Sequence, residues 1–301
     1  MGAQLRAVRA RIKAVKSIAK ITRAQELIAS SRIVRAQQRT RAAEPYAREL
    51  TTAVEAVVSR SGTINHPMVS EPEAFKNAGV LVLSSDSGFC GGFNSNVMRE
   101  AARLRQRNED SGVRSTTYVA GNKGIAWHRF NDVAVQQTWS GFSARPSYAD
   151  AEKIAAELLE AFNDDNGVDE IYLVSTEFVS MLTQKASVRR ILPLEIEEKP
   201  ESERPAGPLP SYEFEPSTDD VLDALLPQYV ASRIYYAMLE AAASELAARR
   251  RAMKAATDNA NDLLDRLTRE ANNARQAEIT QEISEIVGGS NALAEANAGS
   301  E

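Results

Sequence analysis

Residues 1–41 read MGAQLRAVRARIKAVKSIAKITRAQELIASSRIVRAQQRTR, and the spacing of their apolar residues decides the fold at the start of the chain. Apolar residues stand three, four and three positions apart at Leu5, Val8, Ile12 and Val15. Residues at these steps fall on one face of an α-helix, which is the pattern of coiled-coil pairing. The stretch therefore predicts a helix with an apolar seam along one side.

A second seam with the same steps follows at Ile18, Ile21, Gln25 and Ile28. Glycine is absent between residues 2 and 62, and proline occurs in that interval once, at Pro45. Because Gly and Pro interrupt helices most strongly, we assign residues 1–60 to an N-terminal coiled-coil helix. Pro45 is expected to bend this helix or end it.

The other end of the chain has the same character. Glycine is absent between residues 207 and 288, and no proline follows Pro227. Apolar residues recur at three- and four-residue steps at Ala260, Leu263, Leu267 and again at Ile279, Ile283, Ile286. We assign residues 224–293 to a C-terminal coiled-coil helix and residues 294–301 to a tail. Rods of this length, at about 1.5 Å per residue, must pair with each other and project, or lie inside a larger assembly.

The middle of the chain, residues 75–195, predicts a central α/β domain. The segments rich in β-branched residues, which suit buried strands, are GVLVLSSD (79–86), STTYVAG (115–121) and DEIYLVST (169–176). Ala-rich polar segments at 93–109 and 148–162 predict helices between them. Because strands alternate with helices, we expect a parallel sheet.

An acidic stretch separates this domain from the C-terminal helix. Residues 195–223 hold ten acidic and two basic residues together with several prolines. We assign residues 196–223 to an exposed, irregular crossing segment.

Whole-chain composition limits the class of protein. The 301 residues carry a net charge of -5, with 43% hydrophobic and 26% charged residues, as is ordinary for globular proteins. No window approaches the ~18 consecutive apolar residues of a membrane-spanning helix. The single Cys90 excludes an intrachain disulfide, and two histidines supply no usual zinc set. We expect no metal, no cofactor and a reducing compartment.

The glycine-rich stretch SSDSGFCGGFN (84–94) is the best candidate for a ligand site, since phosphates often bind where a strand runs into such a turn and a helix. It matches neither G-x-G-x-x-G nor G-x-x-x-x-G-K-[ST], so a tight turn that needs glycine is the favoured interpretation. Cys90 could be a nucleophile if His66 or His128 reached it in space, but a buried, inert thiol is favoured. No catalytic residue is assigned.

Basic residues are concentrated at both helical ends of this acidic chain. Residues 1–41 carry eleven Lys or Arg and a single acid, and Arg249, Arg250, Arg251 and Lys254 lie within about one and a half helical turns. An import presequence, a nucleic-acid arm, a membrane-surface helix and a helix shaped for an acidic partner would each explain the first segment. The second is a solvated helical face or a ring of positive charge facing an acidic collar.

Four segments together resemble the gamma subunit family of bacterial F-type ATP synthases. They are KITRAQELIASSRI (20–33), SDSGFCGGFN (85–94), ASELAARRRAMKAATDNANDLL (243–264) and ARQAEITQEISEIVGG (274–289). The likeness extends more loosely over essentially the whole chain. The glycine turn departs from the family pattern with Ser87 where a basic residue is usual and Phe89 where leucine is usual, and Gln25 stands where methionine is common.

The resemblance implies a rotary central stalk. The terminal helices would form a long antiparallel coiled coil inside a hexamer of alpha and beta subunits. A Rossmann-like central α/β domain would form a foot beside epsilon on the membrane ring of c subunits. Proton flow would turn the ring and the shaft, and one copy per complex would drive ATP synthesis on other chains, with no catalytic site of its own.

The same resemblance implies contact residues. The beta-subunit contacts would be Glu245, Arg249, Lys254, Arg275, Gln276, Thr280 and Glu282. The segment SYEFEP (211–216) resembles the part that touches the c-ring, which makes Tyr212, Phe214 and Glu215 the candidates there.

Three other classes of protein compete with this one. A nucleic-acid binder would use the basic arm, but no aromatic residue precedes Tyr46 and the rest of the chain is acidic. A mitochondrial presequence is also Arg-rich, yet KITRAQELIASSRI belongs to the mature family pattern, so we expect a mature bacterial N-terminus at the cytoplasmic side of the cell membrane. A small α/β enzyme would need chemistry from Cys90, the histidines or the glycine turn.

Overall fold

The computed structural model describes residues 2–60, 68–69, 74–164, 166–194 and 218–298. Within these ranges the helices are α1 (Gly2–Arg60), α2 (Phe93–Asp110), α3 (Asn122–Phe130), α4 (Tyr148–Asn163) and α5 (Thr218–Ala298). The strands are β1 (Asn77–Leu83), β2 (Arg114–Ala120), β3 (Gln137–Trp139), β4 (Glu170–Phe178) and β5 (Gln184–Leu192).

The chain divides into two compact units. One, the helical unit, contains Met1–Ile28 and Arg251–Glu301. The other, the sheet unit, is Ala29–Arg250.

The sheet unit is built on strands in the order β3-β2-β1-β4-β5. Neighbouring strands are parallel from β3 to β4, whereas β5 is antiparallel to β4 and forms a hairpin with it. The three predicted strands and the two predicted helices are confirmed. The expected parallel sheet is corrected to a mixed one, because the short connection after β4 can only return the chain in the opposite direction.

Two apolar cores cover the faces of this sheet. Side chains of β1 alternate between them, since successive residues of a strand point to opposite faces. Val80 and Val82 pack with α2, while Leu81 and Leu83 belong to the larger core. That core also holds residues of α4 and of the first turns of α5, among them Ile154, Leu158, Leu222, Leu226 and Ile234. Strand β1 is therefore buried on both sides, as its unbroken apolar sequence predicts.

The proline in α1 does not end the helix. Pro45 was expected to bend or end it, but α1 continues to Arg60. Beyond the proline, Val54, Val57 and Val58 are buried in the larger core of the sheet unit. Packing of this apolar face offsets the hydrogen bond that proline removes from the helix. Pro227 lies inside α5 in the same way, between the buried Leu226 and Val230.

The helical unit is an antiparallel pair. Near one end of the pair the Thr22 and Thr257 hydroxyl oxygens are 2.7 Å apart, and at the other end Gln4 shares a groove with Arg269 and Asn273. As the α1 residue number falls, the number of its α5 neighbour rises, which defines the antiparallel direction. Leu5 and Val8 of the first predicted seam are buried here.

A buried histidine in α3 makes the stability of the sheet unit depend on pH. His128 is 0% exposed; its Nδ1 lies 2.8 Å from the Gly124 carbonyl and its Nε2 has no hydrogen-bond partner in the described structure. Burial lowers the pKa of His128, and the hydrogen bond to Gly124 does not fully restore it, while Arg105 nearby lowers it further.

We expect the chain to lose stability as the pH falls below about 6.5, the ordinary pKa of an unfolded histidine. The unfolded chain takes up a proton there that the folded chain resists, so unfolding is favoured by up to about 1.4 kcal/mol per pH unit. The loss stops at the lowered pKa of the folded state. Urea unfolding at several pH values should show a steeper decline for the native chain than for His128→Leu, which cannot titrate. Parallel pH profiles of the two proteins would contradict this expectation.

Candidate interaction surfaces

The seam of the helical unit is narrow and leaves most of each helix outside it. On α5 the buried positions are Met253, Thr257, Ala260 and Leu267, at successive steps of four, three and seven. The predicted seam residue Leu263 is exposed instead, because Leu264 stands at the seam spacing. One stripe of α5 therefore faces α1, and the remaining circumference is available to other molecules.

The second predicted seam of α1 is such a surface. Ile18, Ile21 and Ile28 are exposed, with Ile21 at 61%, whereas the buried α1 residues of the seam here are Ala19, Thr22 and Glu26. Exposed basic residues lie beside this apolar stripe, among them Lys20 and Arg23. Contiguous exposed apolar residues on a helix indicate a site of contact with a partner, and the basic rim favours an acidic one.

The last apolar stripe of α5 is also exposed within the described part of the chain. Ile279, Ile283 and Ile286 were expected to continue the coiled coil, but all three are exposed, with Ile286 at 71%. They stand off the seam, which passes through the half-buried Ala274 and Glu278. Gln4, near the start of α1, lies beside Asn273 and Ala274. The three isoleucines therefore lie near or past the end of the described part of α1.

The residues of this region that the family resemblance implies as beta-subunit contacts are exposed as well. Arg275 and Glu282 lie two turns apart on one face of α5, and Gln276 and Thr280 lie on an adjacent face. The Thr280 hydroxyl donates to the Gln276 carbonyl at 2.9 Å. Lys254, nearer the sheet unit in sequence, is exposed and pairs with Asp258 at 3.3 Å. These side chains are accessible to a partner.

Glu245 and Arg249 differ from that group because they lie within the sheet unit. The Glu245 side chain is 2% exposed and that of Arg249 is 12% exposed. Arg249 Nη2 donates to Glu245 Oε1 at 2.6 Å and reaches backbone carbonyls of the glycine turn. The structure thus gives both residues partners inside the chain, which the sequence does not indicate.

The glycine turn is organised by a carboxylate of its own. Asp86 Oδ2 accepts hydrogen bonds from the backbone N–H of Gly141 and Ser143, both at 2.9 Å, and Oδ1 accepts from Asn122 N–H at 3.1 Å. Burial alone would raise the pKa of Asp86, but these hydrogen bonds outweigh it and hold the pKa below its ordinary value. Backbone donors that a phosphate could use, including one at the start of α3, are occupied by Asp86.

Cys90 has the environment of a structural thiol. It is buried, its sulfur accepts a hydrogen bond from Asn94 Nδ2 at 3.2 Å, and it lies 3.8 Å from the Ser85 hydroxyl. Burial raises the pKa of Cys90, which keeps it in the unreactive thiol form. His66 lies outside the described residues.

The residues that the structure describes form neither a metal-binding cluster nor a membrane-spanning helix. Within the described ranges, no group of three His, Cys, Asp or Glu side chains is placed to hold a metal ion. Over those same residues, no helix has an apolar stretch of the length needed to cross a lipid bilayer. Tyr212, Phe214 and Glu215 lie outside the described residues.

Comparison with known proteins identifies the family. A family model described as ATP synthase matches residues 4–293. The ATP synthase gamma chain of Thermobifida fusca is 54% identical over 100% of both chains. That of Acidothermus cellulolyticus is 56% identical over 97% of this chain and 98% of its own. The chain belongs to the ATP synthase gamma chain family.

Solved structures share the fold of this family. A chain from the Euglena gracilis mitochondrial ATP synthase, in a structure described as OSCP/F1/c-ring in rotational state 3, has a TM-score of 0.67 at 18% identity. The match covers 97% of this chain and 95% of that one. A chain from the rotor of the same enzyme in rotational state 1 has a TM-score of 0.64 at 16% identity, covering 93% and 100%.

One polar contact in the seam of the helical unit is not predicted by the spacing of the apolar residues. The hydroxyls of Thr22 and Thr257 are buried and 2.7 Å apart, and each also bonds to a carbonyl of its own helix. A buried polar pair in a coiled coil fixes the register, because any shift leaves a hydroxyl against apolar atoms.

We expect Thr22→Val and Thr257→Val each to destabilise the chain by about 1 kcal/mol, since each removes the contact between the two hydroxyls and leaves the remaining buried hydroxyl only the carbonyl of its own helix. The double variant should be at least as stable as either single one, because two apolar side chains then meet. Urea unfolding of the four proteins measures this coupling. Thr268→Val is the matched control: its hydroxyl is exposed and bonds to its own helix, so a change within about 0.5 kcal/mol is expected. Purely additive losses would show that the pair does not interact.

Proposed function

We propose that this chain is the rotating central shaft of a membrane-bound F-type ATP synthase. Proton flow through a ring of c subunits turns the shaft, and the shaft drives ATP synthesis in a head of alternating alpha and beta subunits. The observation that carries this proposal is the unpaired surface of the helical unit. Its helices expose apolar stripes and basic residues over a length that their own pairing does not require.

The exposed stripes suit a shaft inside a collar. Ile279, Ile283 and Ile286 supply an apolar end without a partner in this chain, and such a stripe is stable only when another protein covers it. A surface that rotates must also avoid deep interlocking, since each deep contact would be a barrier to turning. Exposed ion pairs worth about 0–1 kcal/mol each meet that requirement.

The positive charge of the exposed helix surfaces supports the proposal that the partners of this chain are acidic. The exposed basic residues of α1 and the exposed Lys254 of α5 fit acidic loops of beta subunits, as the family resemblance implies. Of the contacts implied by that resemblance we retain Lys254, together with Arg275, Gln276, Thr280 and Glu282. Asymmetry of the shaft would shift the beta subunits between discrete packed conformations in turn.

The chain itself is proposed to be non-catalytic. Cys90 and His128 are buried, and Asp86 of the glycine turn occupies the nearby backbone donors of Asn122, Gly141 and Ser143. Nucleotide would then be bound and cleaved by the alpha and beta subunits, and ATP hydrolysis would run the same coupling in reverse.

The sheet unit is proposed to form the foot. By resemblance, Tyr212, Phe214 and Glu215 would contact the c-ring, and epsilon would bind beside them. The chain would be a peripheral protein on the cytoplasmic side of the cell membrane, with one copy in each complex.

Co-expression tests the proposal. The chain is produced with and without alpha and beta subunits from the same source, and ATP hydrolysis of each purified product is assayed. We expect the chain to be inert alone and to purify as one copy in an active complex. Nucleotide turnover by the chain alone, or its absence from the complex, would overturn the proposal.

The exposed pair at the far end of α5 provides a sharper test. We expect Arg275→Ala with Gln276→Ala to lower the ATPase activity of the assembled complex by on the order of tenfold, because polar contacts to the beta subunits are lost together. Arg269→Ala, on the same helix, is the control. Unchanged turnover together with unchanged proton pumping would show that the pair takes no part in coupling.

A further inference from the structure

The buried ion pair of α5 lies against the glycine turn, residues 85–92, and the proposed function leaves it without a role. Glu245 and Arg249 are one helical turn apart, and their charged groups meet at 2.6 Å. Removing one partner from such a pair strands the other charge in the protein interior. The pair therefore behaves as one group. Its role depends on the other parts of the chain to which Glu245 and Arg249 form hydrogen bonds.

Arg249 binds the turn through several hydrogen bonds. Its Nη2 donates to the carbonyls of Ser87 at 3.2 Å and Gly88 at 3.1 Å, and its Nε donates to Gly88 at 3.3 Å. The planar guanidinium can donate hydrogen bonds to a carboxylate and two carbonyls at once because its donors form a rigid fork. Arg249 thus ties α5 to the backbone of the turn.

Glu245 is held from the other side by the loop that follows β3. The Ser143 hydroxyl forms a hydrogen bond with Glu245 and accepts one from the Asp86 N–H at 2.8 Å. Asp86 in turn binds the N–H groups of Gly141 and Ser143. The turn, the loop after β3 and α5 are joined in one polar network, backed by the apolar contacts of Cys90 and Phe93 with Ala241 and Ala248.

The backbone conformation of the glycine turn requires stabilising contacts of this kind. Phe89 has φ of 59° and its side chain is exposed, and Gly91 has φ of 57°. A left-handed backbone is unfavourable for an aromatic residue and persists when surrounding contacts over-determine it. The two carbonyls that Arg249 holds belong to the residues immediately before Phe89.

We propose that Arg249, set by Glu245, is a positioning residue that locks the glycine turn to α5, so that the sheet and α5 turn as one body. The second half of this proposal rests on the proposed function. The family resemblance places both residues in contact with beta subunits, whereas the structure assigns them to a joint inside the chain.

Hydrogen exchange of the isolated full-length chain tests the joint without any partner. In Arg249→Gln we expect amide exchange in residues 85–92 to rise on the order of tenfold, since hydrogen bonds from a charged donor are lost. Arg249→Lys should loosen the turn as well, because the lysine ammonium lacks the planar fork through which Nε and Nη2 of Arg249 both reach the turn. Arg250→Gln, the neighbouring arginine, is the matched control and should leave exchange in the turn unchanged.

A folding control accompanies these variants. If Arg249→Gln lowers the thermal midpoint of the whole chain, the double variant Glu245→Gln with Arg249→Gln removes the stranded charge and repeats the exchange measurement in a neutral background. Exchange at Asn77 and Ala78, at the end of β1 away from the turn, is the internal reference in every sample.

The assembled complex tests the mechanical role. We expect Arg249→Gln to lower the number of protons pumped per ATP hydrolysed about twofold or more, with Arg250→Gln close to the native ratio. Unchanged exchange in the turn combined with poor coupling would overturn the proposal, and would place Arg249 at a beta-subunit contact. A loosened turn with full coupling would refute the mechanical role. Failure of the native chain to enter an active complex would refute the proposed function and leave the joint itself standing on the exchange result.

Discussion

The lateral pairing of α1 with α5 is the constraint on which the rest of the molecule depends. Helices of 59 and 81 residues gain their stability from an apolar face covered by another element, and here the two ends of the chain cover each other. Small residues such as Ala19 and Ala260 on the buried faces allow close approach, and the Thr22–Thr257 contact sets the register. Because the seam is narrow, most of each helix in the helical unit is left for other molecules.

A single helix meets two different environments along its length. In the sheet unit α5 is buried by the larger core, through Leu222, Leu226 and Ile234, and residues 241–248 of the helix are all buried. In the helical unit the same helix buries one stripe only. The change in composition along α5 therefore records the change from a core element to a surface element, with no break in the backbone between Thr218 and Ala298.

Much of this architecture is predictable from local chemistry. The runs of β-branched residues at Val80–Val82 and Ile171–Val174 form strands because such residues suit a pleated, buried surface. The long helices follow from the scarcity of Gly and Pro. Pro45 does not end α1, because packing of the residues that follow it, an effect of tertiary structure, outweighs the local cost.

The interaction residues were harder to infer, because spacing alone does not say which side of a helix is covered. Ile279, Ile283 and Ile286 have coiled-coil steps, yet their phase is shifted from the seam that Thr257 and Ala260 define. Glu245 and Arg249 look like exposed helix charges in sequence, and only the fold brings the glycine turn beside them. The role of Asp86 depends on N–H groups from two distant segments, so no local motif reports it.

The isoleucines of the helix end also bear on how the cell must make this protein. A copy released without its partners carries Ile279, Ile283 and Ile286 into water on a helix face that no described residue of its own fold covers. Exposed apolar stripes of this kind drive self-association and attract proteases and chaperones. On the proposed function, this helix is stable in the cell only beside the proteins that cover it, so its synthesis would have to be matched to theirs.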